Sequence, residues 1–481
     1  MIALTEIVNA YPLEQDSTGE FVWARDRFSF PHRGVSYGLL RACYHGRDGR
    51  LSIRLANGAC HNLELFFGWH DYLIPFGEIP GPVTCTVSPV VPCEQDSRTL
   101  GLMIRSIDAV TDLAAARRQL DRGANQRKNQ AEYEAGVAVL RSIPPQLRTS
   151  LETKCNVFPR CAYCHWDYAK DLETRLDFEL GSVETLEQLG EFTRLATEVH
   201  DCSWGEVFVN RSFPETAEYL FRTGLHCSFT SNGMLMTEEK YAPLLGQRAT
   251  LYVSLDASDA ERFSRYRNFQ FGDVVRNVRR LCDAKKAHGN KPEVHIVCVA
   301  MTSNFEDIPN VVDLTAELGA DGFFLQALHD QNMSRPDLVV QNGYEFDYEK
   351  ECLDLARLQA LSEGLRARAE ALGLTYRADT TDYCRQNEKD SDVPLCSEPW
   401  KTVYPVSRGI TPCCFGREPI ASWDERGDTP LDEFIQKAIN NPAMQEIRTA
   451  LAKRELSDYC RRCTSCPVTK RYLKEEATQK K

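Results

Sequence analysis

The spacing of the cysteines restricts this sequence more than any other feature. There are 19 in 481 residues, and they are not evenly spread. Three lie in the segment Cys155-Asn-Val-Phe-Pro-Arg-Cys161-Ala-Tyr-Cys164, and six fall between Cys396 and Cys466. Disulfide frameworks belong to small secreted domains with a signal sequence. The first residues, Met1 to Gln15, lack the basic-then-apolar pattern of such a signal. Clustered thiols in a reducing compartment point to metal ligation, whereas scattered ones such as Cys43, Cys60, Cys85, Cys93, Cys282 and Cys352 read as small buried hydrophobes. Three thiolates on one loop hold three irons of a four-iron cluster and leave the fourth iron open. A zinc site needs a fourth ligand; His165 is available, but adjacent residues rarely bind one metal comfortably.

Bulk properties set the frame. The length calls for two or three domains. The hydrophobic fraction of 42% supports burial, and no apolar run reaches the roughly 18 residues that span a bilayer. The net charge of −12 argues against nucleic acid or anionic membranes as partners. The expectation is a cytoplasmic protein with neither kind of partner.

Residues 1–110 read as strand-rich. Leu51-Ser-Ile-Arg-Leu alternates apolar and polar before the turn pair Asn57-Gly58, and Val83–Ser88 and Leu100–Ile107 follow suit, as in a β-sandwich. Residues 111–147 form a helical connector, with two helical segments flanking an exposed polar stretch, Arg122–Gln130. From 148 to 335, strands at Gly205–Asn210, His226–Ser231, Thr250–Asp256, Glu293–Met301 and Gly322–Ala327 alternate with helices such as Phe271–His288 and Asp307–Leu318. Repeated βα units imply a parallel sheet with its chemistry at the C-terminal strand ends. A helical linker over 336–390 and a small cysteine-bearing domain over 391–481 complete the expected α/β organisation.

The first cysteine segment resembles the radical S-adenosylmethionine (SAM) superfamily. Its usual C-x3-C-x2-C spacing is C-x5-C-x2-C here, as though Phe158-Pro159 had been inserted between Lys154-Cys-Asn-Val and Arg160-Cys-Ala-Tyr-Cys164. The resemblance implies a partial (β/α)6 barrel and a [4Fe–4S] cluster on Cys155, Cys161 and Cys164. The open iron of that cluster would chelate S-adenosylmethionine, whose reductive cleavage yields a 5′-deoxyadenosyl radical. It also implies that Tyr163 packs beside the adenine and Ser254 faces the ribose or methionine part. Arg265 or Arg267 would pair with the methionine carboxylate, a surface salt bridge being the other reading of either. The Gly-Gly-Glu-Pro motif of the second strand is replaced by Val209-Asn-Arg-Ser-Phe-Pro-Glu215, leaving Asn210 and Ser212 to accept the ammonium. Cys396-Ser-Glu-Pro-Trp400, Pro412-Cys413-Cys414 and Tyr459-Cys-Arg-Arg-Cys463 resemble the SPASM or twitch extension, with Cys396, Cys414, Cys460 and Cys463 holding one auxiliary [4Fe–4S] cluster. Cys466 and Cys413 stand as further thiols of that site, and a zinc ribbon is the alternative.

For the reaction, quenching of a substrate radical by a thiol gives epimerisation, and loss of an electron to the auxiliary cluster gives oxidation. Cys298 and Cys384 are the candidate hydrogen donors; Asp256, His329 and Asp330 are candidate substrate contacts. The segment Asp96–Ile107, with Leu55–Gly58 and Gly68-Trp69, resembles β-sandwich domains attached to glycan-biosynthesis enzymes, which favours a carbohydrate or glycoside substrate. A peptide-modifying radical enzyme and a non-enzymatic metal-binding scaffold are the alternatives. An electron donor such as flavodoxin or ferredoxin is the expected partner.

Overall fold

A computed structural model describes residues 2–16, 19–32, 35–46, 48–76, 80–92, 98–164, 181–201, 205–328, 338–378, 393–406, 408–416, 418–463, 466, 468–470, 472–473 and 476. The chain divides into two units, Met1–Asn125 and Gln126–Lys481.

The first unit is built on a nine-stranded antiparallel sheet around the long strand Gly19–His32. Val22 and Trp23 of this strand pair with Met103–Ala109, while Arg27–His32 pair with Gly81–Ser88, so one strand serves two leaves. The alternation read at Leu51 and Ile53 buries both side chains, and Asn57 and Gly58 turn the chain into Cys60–Leu65. Gly58 takes a φ of +83°, and the Asn57 side chain accepts from the Ala59 amide at 2.9 Å. Phe28, Phe30, Leu40, Ile53, Ile74 and Ile104 share one core between the leaves, a sandwich-like arrangement.

The connector departs from expectation. One helix, α1, runs unbroken from Leu113 to Glu134, through the stretch expected to be an exposed break. Asn129 within it is fully buried and donates to Ser142 Oγ at 3.0 Å and to the Trp400 carbonyl at 2.8 Å. A polar residue read as solvated is instead a core group whose amide nitrogen has both its donors engaged. The second expected helical segment ends early, and the Glu132 carboxylate accepts from the Arg141 and Ser142 amides beyond it.

The second unit centres on parallel strands β1 (Gln146–Thr149), β2 (Glu198–Asp201), β3 (His226–Ser231), β4 (Ala249–Ser254), β5 (Glu293–Ala300) and β6 (Gly322–Ala327), each paired with the next. Two further strands extend this partial barrel. β7 (Thr375–Ala378) lies parallel to β6, and β8 (Thr402–Val406) lies parallel to β1 on the opposite edge. Helices α2 (Phe213–Thr223), α3 (Ala260–Tyr266), α4 (Phe271–Lys286), α5 (Ile308–Glu317) and α6 (Leu355–Ala371) form the connections. β2 lies several residues before the expected Gly205–Asn210, where Val207–Val209 is a 3-10 turn. Its Glu198-Val-His-Asp201 sequence is short and mostly polar, which hid it from a search for apolar runs.

Each strand has two faces of different character. Leu147, Val199, Phe229, Leu251, Val253, Ile296, Cys298 and Phe323 are buried in the main core, while Arg148, His200, Thr230, Ser254 and Phe324 on the alternate phase are half-buried and Arg377 is exposed. Beyond β8 the chain returns antiparallel as β9 (Gly409–Thr411). Helix α7 (Pro442–Ala452) then packs the small C-terminal region on Trp400, and no described helix is long and apolar enough to cross a membrane. Its Arg448 is wholly buried; burial pulls the guanidinium pKa down to about 9. It donates from Nε and Nη2 to the Pro399 carbonyl and from Nη1 to that of Ala138, all within 2.9 Å. Replacing Arg448 with Met leaves those carbonyls buried without donors and should cost about 3 kcal/mol, measured as a lower urea midpoint of the reconstituted protein.

Candidate functional site

The cysteine loop leaves the C-terminal end of β1 and is pinned on both flanks. Arg160 donates to the Cys155 and Val157 carbonyls at 3.1 and 2.8 Å, and the Ala162 amide donates to the Tyr266 carbonyl at 2.9 Å. Phe158 is 84% exposed, so the additional Phe158-Pro159 pair bulges outward and leaves the flanking thiols on one loop. Two of the three sulfurs receive donors: Asn232 Nδ2 lies 4.0 Å from Cys155 Sγ, and Arg267 Nη1 lies 3.9 Å from Cys161 Sγ. Donors aimed at sulfur suit anionic thiolates. Burial, ahead of all other influences, pushes the free Cys155 thiol up, so a bound cation is what would hold it ionised. Among the described residues no three Cys, His, Asp or Glu side chains stand close enough to share a single metal ion. Three thiolates on one loop are the donor set of a four-iron cluster that leaves one iron open. The donor set therefore fits a [4Fe–4S] cluster.

Behind the loop lies a buried ionic hub. Asp256, fully buried just past β4, accepts from Tyr163 Oη at 2.6 Å, Arg267 Nε at 2.6 Å and the Val299 amide at 2.9 Å. The Arg267 guanidinium also sits 5.0 Å over the Tyr163 ring. Burial pushes the Tyr163 phenol well above its usual pKa. Tyr163 is thus oriented by Asp256, and Arg267 is committed to Asp256 and Cys161. Arg265 is half-buried on α3 and pairs with Glu261 at 3.0 Å. Ser254 is half-buried at the last position of β4.

Two expected ammonium ligands are placed elsewhere. Asn210 Nδ2 donates to the Leu151 and Gly181 carbonyls at 3.1 Å each, its Oδ1 accepts from the Ser212 amide, and Ser212 is exposed. These bonds tie the loops together. The shift of β2 brings a residue that the sequence reading passed over, Glu206. Its buried carboxylate accepts from the Asn232 amide at 2.6 Å, Ser231 Oγ at 2.8 Å and the Phe208 amide at 3.2 Å, with burial outweighing these bonds to raise its pKa to about 7. Gly205-Glu206 was the available signal, masked by assigning a strand to those residues. Cys298 is also displaced from its expected role. It packs on the helix-facing side of β5 with no exposure, because the register puts His295, Val297 and Val299 on the other phase. Cys384, His165, His329 and Asp330 lie outside the described residues.

The C-terminal thiols converge. Cys396, Cys414 and Cys466 all bear on Cys413, and Cys463 and Cys466 bear on Cys460. All six are thereby brought together, the four expected ligands with Cys413 and Cys466 among them. Tyr404 on β8 donates to Glu398 and feels both Cys414 and Arg148, so it stands between this site and the barrel lumen.

The lumen carries a polar tier. Arg148 registers with His200 and Tyr252 with His295; the Tyr252 ring lies 5.9 Å from that of His200 and 6.1 Å from that of Phe324. Arg377 donates to Tyr252 Oη at 2.7 Å. Thr250 and His226 form a 3.2 Å pair nearer the N-terminal mouth.

Comparison with known proteins agrees with this geometry. Residues 153–315 match the model of the Radical SAM superfamily. A probable GTP 3′,8-cyclase from Metallosphaera sedula is 26% identical over 216 residues, 44% of this chain and 63% of that protein, so the match spans less than two thirds of that relative. The structure of Streptococcus suis SuiB bound to S-adenosylmethionine aligns with a TM-score of 0.50 at 16% identity, over 76% of this chain and 78% of that one. The anSMEcpe structure with bound AdoMet and Cp18Cys peptide aligns with a TM-score of 0.44 at 16% identity, over 66% of this chain and 86% of that one. Residues 153–315 thus form a Radical SAM domain. Its cofactors are a [4Fe–4S] cluster and S-adenosylmethionine.

The lumen also generates a pH dependence. Burial first, then Arg148, Arg377 and His226, lower the His200 pKa from 6.5 to about 3. Neutral His200 therefore contributes stability that is complete above pH 6.5 and is lost as pH falls toward 3, because only the unfolded chain takes up the proton there. At pH 5 the loss should be about 2 kcal/mol, and His200→Asn should remove it, as measured by unfolding of the two proteins at pH 7 and pH 5.

Proposed function

We propose that this radical SAM enzyme abstracts a hydrogen atom from a carbohydrate or glycoside, leading to epimerisation or oxidation, with an auxiliary cluster in a C-terminal twitch or SPASM domain. The observation that carries the radical chemistry is the loop of Cys155, Cys161 and Cys164 at the end of β1, with donors on two of its sulfurs. When bound, the cluster supplies an electron for reductive cleavage of S-adenosylmethionine to the 5′-deoxyadenosyl radical.

The chain's own residues position and exclude. Glu206 holds the Asn232 amide and so fixes the end of β3, from which Asn232 Nδ2 reaches Cys155. As the acid that follows Gly205 just after β2, Glu206 is the residue we place toward the methionine ammonium. Ser254 offers its hydroxyl to the ribose or methionine part from the end of β4. Asp256 fixes Tyr163 and keeps Arg267 charged beside Cys161. Cys396, Cys414, Cys460 and Cys463 are our ligands for the auxiliary cluster, and a flavodoxin or ferredoxin is the reductant. With Cys298 on the helix side, Cys384 is the remaining hydrogen-donor candidate.

The substrate reading rests on the N-terminal sandwich. Phe67 is 69% exposed beside Phe66, Trp69 and His70, an aromatic edge suited to the faces of sugar rings. A peptide substrate is the second reading, since SuiB and anSMEcpe are described with peptides. Reconstituted protein should hold about eight irons per chain, and changing Cys155, Cys161 and Cys164 together to Ala should remove about half of them and all 5′-deoxyadenosine formation. A fully loaded wild type that never forms 5′-deoxyadenosine overturns the enzyme reading. Product analysis with a glycoside and with a peptide decides the substrate. Deuterium entering the product from heavy water marks epimerisation through a thiol, and unlabelled product marks oxidation.

A further inference from the structure

One residue of the cysteine loop has no part in holding the cluster. Phe158 is the most exposed large apolar side chain among the described residues. A ring left in water contributes nothing to folding. The backbone that carries it is nevertheless tightly fastened. Val157 beside it is buried, Arg160 bonds the Cys155 and Val157 carbonyls, and Asn268 Nδ2 donates to the Pro159 carbonyl at 3.0 Å. Asn232 Nδ2 donates to Asn156 Oδ1 at 2.9 Å on the other flank. Phe158 is thus a rigidly presented ring, three residues from Cys155 and three from Cys161.

The rim of this ring is positive. Thr153–Cys164 contains Lys154 and Arg160 and no carboxylate, in a chain of net charge −12. Lys154, Asn156 and Pro159 are exposed, and Lys154 makes no ion pair among the described residues. Glu152, the acid before the segment, is half-buried and turns its Oε1 to the Thr153 and Lys154 amides. On α3, whose end carries the Tyr266 carbonyl that holds the loop, Asp259 and Glu261 pair with Arg262 and Arg265. That helix end therefore adds no net negative charge. Size and charge together select an occupant. Contacts between electron-transfer proteins are small and transient, below about 1,200 Å², whereas permanent partners bury more. An aromatic anchor supplies affinity to such a contact, and a cationic rim supplies association rate with an acidic partner.

We propose that Phe158, rimmed by Lys154, is the docking point of an acidic one-electron carrier protein that reduces the cluster. The inference rests on the reading of the chain as a radical SAM enzyme reduced by a flavodoxin or ferredoxin, and it gives that reductant its place. In the step the carrier loses one electron and the cluster gains it; no bond forms or breaks. Electron transfer falls off steeply with distance, and the ring stands between two of the three cluster ligands in the chain. Because the loop is fixed before the carrier arrives, little freedom is lost on docking.

Formation of 5′-deoxyadenosine by the reconstituted holoenzyme tests this with two kinds of reductant. Dithionite is a small ion that needs no docking site; the titrated carrier is reduced flavodoxin in one arm and reduced ferredoxin in the other. Phe158→Ala should raise the carrier concentration at half-maximal rate roughly tenfold, with iron content and the dithionite-driven rate unchanged. Lys154→Glu should raise it at low salt, and its difference from wild type should shrink at about 0.5 M salt. Unchanged half-saturation in both variants overturns the proposal. So does a wild type that dithionite drives and neither carrier does. If Phe158→Ala loses iron, Lys154→Glu decides, and unchanged half-saturation there overturns the proposal. Self-association of the wild type that is lost in Phe158→Ala, with carrier half-saturation intact, assigns the ring to a second copy of the chain and overturns it too. A fully loaded wild type that dithionite cannot drive overturns the functional reading, and this inference with it. Dithionite-driven cleavage with carrier reduction indifferent to Phe158 and Lys154 overturns this inference alone.

Discussion

The Asp256 carboxylate is the interaction on which the rest of the site depends. It has no exposure, and it holds a phenol from the cysteine loop, a guanidinium beyond α3 and an amide of β5. A charge so deeply buried is tolerable only with a cation and several donors around it, and Arg267 supplies the cation. The same guanidinium extends to Cys161 Sγ. A structural requirement, neutralising Asp256, thereby becomes a property of the cluster loop: one thiol always faces a positive charge. Loss of Arg267 would leave the acid uncompensated and the sulfur without its donor at once.

The barrel divides labour between the two phases of each strand. Residues on one phase, such as Leu251, Val253, Ile296 and Cys298, meet helices and form the core. Residues on the other, such as Arg148, His200 and Ser254, are polar and half-buried. A one-residue difference in register thus separates an inert thiol from a reactive one, as with Cys298. Near the top of the strands, Glu206 and Asn232 do for Cys155 what Asp256 and Arg267 do for Cys161. Each is a buried carboxylate that fixes a nitrogen donor near a sulfur.

Much of this was legible from sequence. Strands β3, β5 and β6 appear where alternation placed them, because their core-facing positions hold buried apolar groups: Cys227 and Phe229, Val294, Ile296 and Cys298, and Phe323 and Leu325. The cysteine pattern carried the superfamily resemblance in spite of the Phe158-Pro159 insertion. What escaped was polar and short. β2 has only Val199 as an apolar anchor, and misplacing it hid Glu206 and lent Asn210 and Ser212 a role. β7 and β8 are four and five residues long and join a sheet formed far away in the chain. Asn129 looked solvated because its partners, Ser142 and the Trp400 carbonyl, come from other segments, one of them 271 residues distant. Local pattern reports what a segment prefers; it is silent on which distant groups will satisfy it.

The pairing of β8 with β1 carries a consequence for how the protein is made. As a chain leaves the ribosome, β1 and its cysteine loop emerge early, yet one edge of β1 has no neighbour until residues 402–406 follow. Throughout that interval it is an open strand edge beside uncoordinated thiols, a state prone both to misassociation and to oxidation. The strand that closes it lies between Cys396 and Cys414. Arrival of Cys396 and Cys414 and sealing of the barrel edge are therefore one event in biogenesis, and iron delivery before it would meet an unfinished scaffold.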